Sequence, residues 1–228
     1  MLDFSLPSLN DPAVINESFS AEGNATTRSA QIYRWVKRLF DVMVSSVVII
    51  SLLIWLVPVI GLLIRLTSPG PIVFMQLRTG RNGRPFRCFK FRTMTYEREA
   101  EFRQATKNDM RVTRVGRILR KSNLDELPQV FNVLLGDMSI VGPRPHPIQL
   151  DAKHWKTLPG YPARYVVKPG ITGLAQSRGC RGETAHVLDM KHRVRYDHLY
   201  IRRQSLPLDL KICFWTAYKM VKGDEKAH

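Results

Sequence analysis

Residues 42–64 read VMVSSVVIISLLIWLVPVIGLLI, which is a run of 23 residues without a charged side chain. At ~1.5 Å per residue, a helix of this length measures roughly 34 Å and is long enough to cross the hydrocarbon core of a bilayer. Pro58 interrupts the run, and serines lie in its first half, where a hydroxyl can bond a backbone carbonyl and favour bending. The run predicts a membrane-embedded helix that is kinked at Pro58.

Basic residues flank this run on both sides. Those before it are Arg34, Lys37 and Arg38, and those after it are Arg65, Arg78, Arg81 and Arg84. Since basic flanks mark the cytoplasmic side of membrane segments, both ends carry the cytoplasmic signature. This favours a re-entrant helical hairpin over residues 29–66, which enters and leaves on the cytoplasmic face. The alternative is a single span with a proline kink, and the sequence leaves it open.

The charge of the chain indicates a polyanionic partner. The 228 residues include 35 Lys and Arg against 19 Asp and Glu, a net charge of +16, and they suffice for one catalytic domain. Nucleic acid, an anionic membrane face and phosphorylated substrates all fit such a charge. We expect no nucleic-acid partner, because no recognisable binding motif is present and the aromatic residues are not interleaved with the basic runs. The apolar run favours the membrane.

Two further features bound the organisation of the chain. Residues 1–28 are polar and acidic without sustained periodicity, and they predict a disordered acidic tail. The cysteines are Cys88, Cys180 and Cys213, whose wide spacing indicates neither a disulfide framework nor a structural zinc site.

Residues 67–228 predict a small, mainly helical α+β catalytic domain on the cytosolic side of the membrane. Asn82-Gly83 is a hairpin turn signal between a strand near Ile72–Phe74 and a second strand at Phe86–Phe91. A third strand is predicted at 139–141. Helices are predicted over 96–106, 112–121, 125–135, 184–202 and 206–220. The helices over 112–121 and 206–220 are amphipathic and suit a membrane surface.

Two adjacent acids carry the chemistry of the chain. Asp125 and Glu126 lie in SNLDELPQ at 122–129, and Pro128 is tolerated only in a first helical turn, so a helix should begin near Asp125. Its free amides then keep both acids ionised. Neighbouring carboxylates on a helix point about 100° apart, which excludes the opposed pair of a glycosidase.

The two acids can instead divide labour at one phosphate, where one attacks phosphorus and the other holds Mg²⁺. The alternative is that they only cap a helix and pair with nearby arginines. Arg144 lies between Pro143 and Pro145, and its guanidinium matches two phosphate oxygens.

With these residues assembled, the chain resembles the bacterial sugar transferases, or monotopic phosphoglycosyl transferases, which begin exopolysaccharide and O-antigen synthesis on a polyprenyl lipid. The resemblance runs from about Lys37 to Val221. Its motifs are KRLFD at 37–41, TSPGP at 67–71, KFRTM at 90–94, LRKS at 119–122, DELPQ at 125–129, GPRP at 142–145, KPGITGLAQ at 168–176, RVRYD at 193–197 and LDLKI at 208–212.

The resemblance implies a reaction of two steps. Asp125 would attack the β-phosphate of a UDP-sugar and expel UMP, which leaves an aspartyl-phosphosugar intermediate, while Glu126 would bind Mg²⁺. Undecaprenyl phosphate would then accept the sugar-1-phosphate in the first membrane step of exopolysaccharide synthesis. The implied location is the bacterial cytoplasmic (inner) membrane, with other polysaccharide assembly enzymes as further partners. RGET at 181–184 resembles the subgroup that uses UDP-glucose or UDP-galactose.

The resemblance also implies roles for five other residues. Lys90, Arg92, Arg120 and Arg144 fall at positions that are expected to hold phosphates or sugar. Asp197 matches a family acid whose role stays open between metal support and structure. The family often has Ser before its kinking proline, whereas Val57 precedes Pro58 here, so a hydroxyl-assisted kink is put in doubt.

Two alternatives to this reaction remain. A non-catalytic scaffold could bind anionic lipid through its basic faces, with the acids paired only to arginines. Within the enzyme class, direct transfer through a ternary complex competes with the covalent route, and ping-pong kinetics would separate the two.

Overall fold

The computed structural model describes residues 28–96, 105–106, 109–180 and 187–222. The predicted acidic tail, apart from Arg28, and the RGET motif lie outside the described residues, as does most of the predicted helix over 96–106. Tyr96, Ala105 and Thr106 are described and are not helical.

The first described part of the chain is one long apolar helix. Helix α1 spans Arg28–Val48 and α2 spans Ile54–Thr67, with a π-helical segment, Ile49–Leu53, between them. By length and composition alone, Gln31–Thr67 is long and apolar enough to cross a membrane. The irregular part of this helix is the π-helical segment at 49–53, which lies before the kink position predicted at Pro58. Pro58 itself is inside α2. The Ser51 hydroxyl donates to the Val47 carbonyl at 2.6 Å, which is the serine contact that the sequence suggested.

The remaining described elements are mainly helical, with two small sheets. Strands β1 (Val73–Thr79) and β2 (Pro85–Phe91) form an antiparallel hairpin, and β3 (Ser139–Val141) and β4 (Gly170–Thr172) pair in parallel. The helices are α3 (Arg114–Lys121), α4 (Gln129–Leu135), α5 (Ile148–His154), α6 (Leu174–Ser177), α7 (Val187–Arg203) and α8 (Leu206–Lys222).

The hairpin and the last helix follow the sequence prediction. Asn82 (φ 55°) and Gly83 (φ 75°) both adopt the left-handed conformation that the Asn-Gly signal predicts for the β1–β2 turn.

Helix α3 is shorter than predicted, because Thr113 caps it by accepting a hydrogen bond from the Gly116 amide at 2.9 Å. Val112, the first residue of the helix predicted over 112–121, therefore lies outside α3.

One face of α1 is exposed and apolar along its whole length. Its residues recur every three or four positions and are Ile32, Trp35, Leu39, Met43 and Val47, with exposed fractions from 55% to 78%. Because this spacing keeps side chains on one side of a helix, the five form a single stripe. The stripe begins ten residues before the uncharged run, so the apolar surface of α1 is longer than the run at 42–64.

The opposite face of α1 docks onto the domain. Asp41 is 3% exposed, and its carboxylate accepts hydrogen bonds from the Ser139 hydroxyl and the Ile140 amide, both at 2.9 Å. Burial of a carboxylate is tolerated when it is hydrogen-bonded in this way. These bonds join α1 directly to β3.

Two of the basic flanking residues take part in the same docking. Lys37 forms an ion pair with the buried Asp209 of α8 at 2.7 Å. The Arg38 guanidinium donates to the carbonyls of Val133 and Leu134 at 2.6 and 2.8 Å, at the C-terminal end of α4, where a cation is favourable. Their charges are therefore used within the molecule, and they are weaker evidence for membrane orientation than the sequence suggested.

The long apolar helix also supplies part of the core. Leu53, Ile60 and Ile64 are at most 4% exposed and form a cluster with buried residues of β2, α3 and α4. Leu124 and Leu127, which flank the two acids in the chain, pack against this cluster. The acid-bearing segment thus packs on a cluster that the apolar helix helps to form.

Candidate active site

The two acids lie on a separate turn that precedes α4. Leu124–Glu126 is a 3₁₀ turn, entered through Asn123 in the left-handed conformation (φ 57°), and Pro128 immediately precedes α4. The predicted helix start near Asp125 was wrong, since the α-helix begins at Gln129. The reason is that Pro128 has no N–H to donate to Leu124, whose carbonyl instead accepts from the Leu127 amide at 3.2 Å.

Glu126 is held by two cations. Lys90 Nζ lies 2.6 Å from Glu126 Oε1, Arg144 Nη1 donates to Oε2 at 3.0 Å, and Arg144 Nη2 also donates to Oε1. Burial opposes the charge of Glu126, but Arg144 and Lys90 outweigh it and hold the pKa of this carboxyl well below its usual range. Glu126 is therefore ionised, as the sequence predicted.

Asp125 has a different environment. It is 9% exposed, and among the described residues none donates a hydrogen bond to its carboxylate. Burial raises the pKa of Asp125 to about 6, although Lys90, Arg120 and Arg144 act in the opposite direction. The predicted effect of free helix amides is outweighed here by desolvation. At neutral pH the carboxylate is mostly charged and is not engaged by a hydrogen-bond donor, which is the state that a nucleophile requires.

The four predicted phosphate-binding residues divide into two groups. Lys90 and Arg144 contact Glu126, and the Arg120 charge acts on Asp125 while its Nε donates to Thr93 Oγ1 at 2.9 Å. Arg92 is 4% exposed and points elsewhere: it donates to the carbonyls of Pro69 and of Ser68, the latter at 2.7 Å. In the structure, Arg92 fixes the turn that follows α2.

The loop that carries Arg144 leaves β3 at a point of close backbone approach. The Gly142 amide donates to the Thr172 carbonyl at 2.9 Å, and a Cβ at Gly142 would come within 2.5 Å of the Lys168 carbonyl oxygen. Only glycine fits such a contact without a shift of the backbone. This explains the glycine before the Pro-Arg-Pro segment.

Asp197 does not join the acid pair. It is 2% exposed on α7 and accepts a hydrogen bond from Arg164 Nη2 at 2.7 Å. The same nitrogen of Arg164 lies 2.9 Å from the Arg144 carbonyl oxygen, so Arg164 links Asp197 to the loop of Arg144. Sequence reasoning missed Arg164, because no motif marks it within YPARY at 161–165.

The carboxylates of the site could hold a magnesium ion whose other ligands come mainly from the substrate. No group of three or more His, Cys, Asp or Glu residues suited to a metal occurs in the described ranges. Mg²⁺ commonly uses one or two carboxylates together with substrate phosphates, and ionised Glu126 with Asp125 beside it can supply these. Lys90 and Arg144 already contact both oxygens of Glu126, so any metal would share that carboxylate with them.

Comparison with known proteins gives a consistent result. The chain is 51% identical over 184 residues to the UDP-glucose:undecaprenyl-phosphate glucose-1-phosphate transferase of Klebsiella pneumoniae, covering 80% of this chain and 39% of the relative. It is 47% identical to the protein of the same name from Caulobacter vibrioides, covering 82% and 70%. It is 42% identical to the UDP-N-acetylgalactosamine-undecaprenyl-phosphate N-acetylgalactosaminephosphotransferase of Aeromonas hydrophila, covering 84% and 45%. The chain spans about two fifths of the length of the first of these relatives.

A protein family described as Bacterial sugar transferase matches residues 32–223. The match includes the docking face of α1, the acid pair, the Arg144 loop and Asp197, which are the parts that the structure joins around one site. With most of its length matched and relatives that share about half of its residues, this chain belongs to the bacterial sugar transferase family.

Proposed function

We propose that this protein transfers a hexose-1-phosphate from a UDP-sugar to undecaprenyl phosphate and releases UMP, as the first membrane step of exopolysaccharide synthesis. The observation that carries the proposal is the contrast between the neighbouring acids. Glu126 is paired with Lys90 and Arg144, whereas the Asp125 carboxylate accepts no hydrogen bond from the described residues. One acid is held in place and the other is available to react.

In the first step, an oxygen of Asp125 attacks the β-phosphorus of the UDP-sugar. The bond between that phosphorus and the bridging oxygen breaks, and UMP leaves with the electron pair. The product on the protein is an aspartyl-phosphosugar. Lys90 and Arg144 lie beside the acid pair, where they can neutralise the diphosphate and the departing phosphate.

In the second step, a phosphate oxygen of undecaprenyl phosphate attacks the phosphorus of the intermediate. The bond to Asp125 breaks, which restores the carboxylate and gives undecaprenyl-diphospho-sugar. A covalent route requires each substrate to react in turn at one site, and direct transfer through a ternary complex would instead require both at once. The carboxylate of Asp125 supports the covalent route, because it accepts no hydrogen bond from the described residues.

We also propose Mg²⁺ as the cofactor, bound by Glu126 and the substrate phosphates. When bound, it would neutralise charge on the transferring phosphoryl group. Glu126 suits this role because its pKa lies well below the usual range, so it does not need to lose a proton to bind a cation.

The membrane arrangement that we propose is the re-entrant one, with the catalytic domain in the cytosol. Support comes from both ends of the apolar helix. Near its start, Asp41 is bonded to β3, and near its end Ile60 and Ile64 pack against β2 and α3. A helix that spans the bilayer places its ends on opposite sides, whereas here one small domain contacts both ends.

The sugar is proposed to be glucose or galactose. The resemblance of the sequence favours these, and two of the relatives described above are named for glucose-1-phosphate transfer. The relative from Aeromonas hydrophila is named for N-acetylgalactosamine, which shows that similar chains differ in their sugar. A panel of UDP-sugars in a UMP-release assay decides among them.

Replacement of Asp125 by Asn should abolish transfer, because an amide is not a nucleophile of comparable strength. We expect UMP release that depends on undecaprenyl phosphate to fall roughly 10³-fold or more in Asp125→Asn, as with other catalytic nucleophiles. The assay uses detergent-solubilised protein with UDP-glucose and UDP-galactose. The matched control is Asp189→Asn, which changes an exposed acid on α7 and should leave the rate unchanged.

The same variant tests the scaffold alternative. If the protein were only a lipid-binding scaffold, wild-type protein would release no UMP from any UDP-sugar, and Asp125→Asn would keep both membrane binding and function. Persistent UMP release in the variant would remove Asp125 as the nucleophile. Binding to lipid vesicles, measured by co-sedimentation, shows that the variant still associates with membranes.

The rate should depend on pH through Asp125. Its pKa is about 6, and the reactive form is the carboxylate, so kcat/KM for the UDP-sugar should fall as the pH drops through about 6. Lys90 lowers this pKa, so Lys90→Gln should move the acid limb of the profile to higher pH in addition to reducing the rate. If kcat/KM of the wild-type protein fell only near the ordinary pKa of Asp, roughly 4, this would contradict the assignment of the acid limb to Asp125.

The metal role of Glu126 predicts a specific defect. In Glu126→Gln, the Mg²⁺ concentration for half-maximal UMP release should rise roughly 10- to 100-fold. Excess metal should recover part of the rate, whereas excess metal should not rescue Asp125→Asn. An unchanged Mg²⁺ requirement in Glu126→Gln would show that the ion is held elsewhere.

Cysteine labelling tests the re-entrant arrangement. In a variant with the three native cysteines replaced by alanine, we would add Gln31→Cys at the exposed start of α1 or Lys191→Cys on α7. A membrane-impermeant maleimide should label neither one in intact cells and both after permeabilisation. Labelling of Gln31→Cys alone in intact cells would indicate a span.

A further inference from the structure

The loop that presents Arg144 is held through its carbonyl groups and through the buried His146 side chain, which contacts Tyr161 and Arg164. Residues 143, 145 and 147 are prolines and have no backbone N–H, so the loop has few donors of its own with which to bond the rest of the protein. Its position therefore depends on donors that other parts of the chain supply to its carbonyl oxygens.

The structure provides such donors for successive carbonyls. The Gly170 amide donates to the Pro143 carbonyl at 2.9 Å. Arg164 Nη2 donates to the Arg144 carbonyl at 2.9 Å, and Arg78 Nη1 donates to the Pro145 carbonyl at 2.7 Å. Two buried guanidinium groups thus hold the backbone on which the Arg144 side chain depends.

Arg164 is itself fixed in place. Its side chain is fully buried, and its Nη2 group lies between the Arg144 carbonyl and Asp197 Oδ2, 2.7 Å away on α7. The guanidinium carbon lies 5.2 and 5.4 Å from the ring centres of Tyr161 and Tyr165. These contacts leave a single direction for the Nη2 donor, which is toward the loop.

Stability is a poor explanation for this arrangement. A buried ion pair loses the hydration of both charges, and well-packed apolar residues of similar size often replace such a pair without loss of stability. The Arg164–Asp197 pair lies in such a position, since its side chains are 0% and 2% exposed. What apolar residues could not do is donate a hydrogen bond to the Arg144 carbonyl.

We propose that Arg164 and Asp197 are positioning residues for substrate binding: Asp197 orients Arg164, and Arg164 sets the loop so that Arg144 meets the diphosphate of the nucleotide sugar. Neither residue touches the substrate. The inference rests on the proposed function for the identity of the ligand, and it assigns Asp197 a structural role at the site in place of metal support.

The first test separates position from stability. The double variant Arg164→Met/Asp197→Leu should fold with a melting temperature close to that of wild type, yet its KM for the UDP-sugar should rise roughly 10- to 100-fold, because small misplacements of a binding group cost this much. We expect kcat to change much less. Arg164→Lys, which keeps the charge of the pair, should recover part of the lost affinity. An unchanged KM in the double variant would overturn the proposal.

The second test asks whether Arg164 acts through Arg144. When Arg164→Met/Asp197→Leu is combined with Arg144→Ala, it should lower the affinity for the UDP-sugar little further. The reason is that the Arg144 side chain, through which the pair is proposed to act, is already absent. Fully additive losses would show that the pair acts by another route and would contradict the proposal. Arg81→Met is the matched control. The Arg81 guanidinium donates to the carbonyl of Val166, which lies two residues after Arg164, and its removal should leave KM for the UDP-sugar unchanged.

UDP binding does not require sugar-phosphate transfer, so it tests the positioning role separately from the proposed reaction. UDP affinity, measured by calorimetry without a lipid acceptor, should fall in the double variant by a factor similar to the change in KM. If wild-type protein transfers no sugar phosphate but binds UDP, and the double variant binds UDP more weakly, the proposed reaction fails while the positioning role stands. If wild-type protein transfers sugar phosphate and the double variant binds UDP normally, only the positioning role fails.

Discussion

The carboxylate of Asp41 joins the membrane helix to β3, and the placement of the site depends on this contact. Strand β3 leads within two residues into the loop of Arg144, so the bonds from Ser139 and Ile140 to Asp41 fix that loop relative to α1. On the other side of the site, the segment that carries the acids packs on buried residues of the same helix. Both halves of the site are thus attached to one long apolar helix. In the proposed reaction between a soluble nucleotide sugar and a lipid phosphate, this attachment would set the height of the nucleophile above the bilayer.

The charges at the site balance one another before any substrate binds. Lys90 and Arg144 neutralise Glu126, and their fields together with that of Arg120 lower the pKa of Asp125 against the effect of burial. Without these cations, a buried Asp would retain its proton at higher pH and would be a poorer nucleophile. In the proposed reaction the same cations would act twice, because they keep Asp125 charged and would also contact the anionic substrate.

Local signals in the sequence were sufficient for the features that depend on neighbouring residues. The Asn82-Gly83 turn, the apolar run and α8 follow from short patterns. The acid pair and Arg144 were singled out by their neighbouring prolines and basic residues, and Lys90 by the family resemblance. The start of α4 was misplaced, because the missing N–H of Pro128 separates the acid turn from the helix. Arg164, Arg92 and the docking of Lys37 and Arg38 could not be predicted, since each depends on a partner distant in the chain. A basic residue beside an apolar run gives the same local pattern whether it faces lipid phosphate or a buried Asp209.

The shared core of the two regions has a consequence for how the protein can be divided. Leu53, Ile60 and Ile64 close the apolar cluster on which Leu124 and Leu127 rest. A chain cut after Thr67 would lose that cover and would expose the apolar residues on which the acid-bearing segment packs. The apolar helix and the domain that carries the acids therefore share one core, and we expect the domain alone to be less stable than the whole chain.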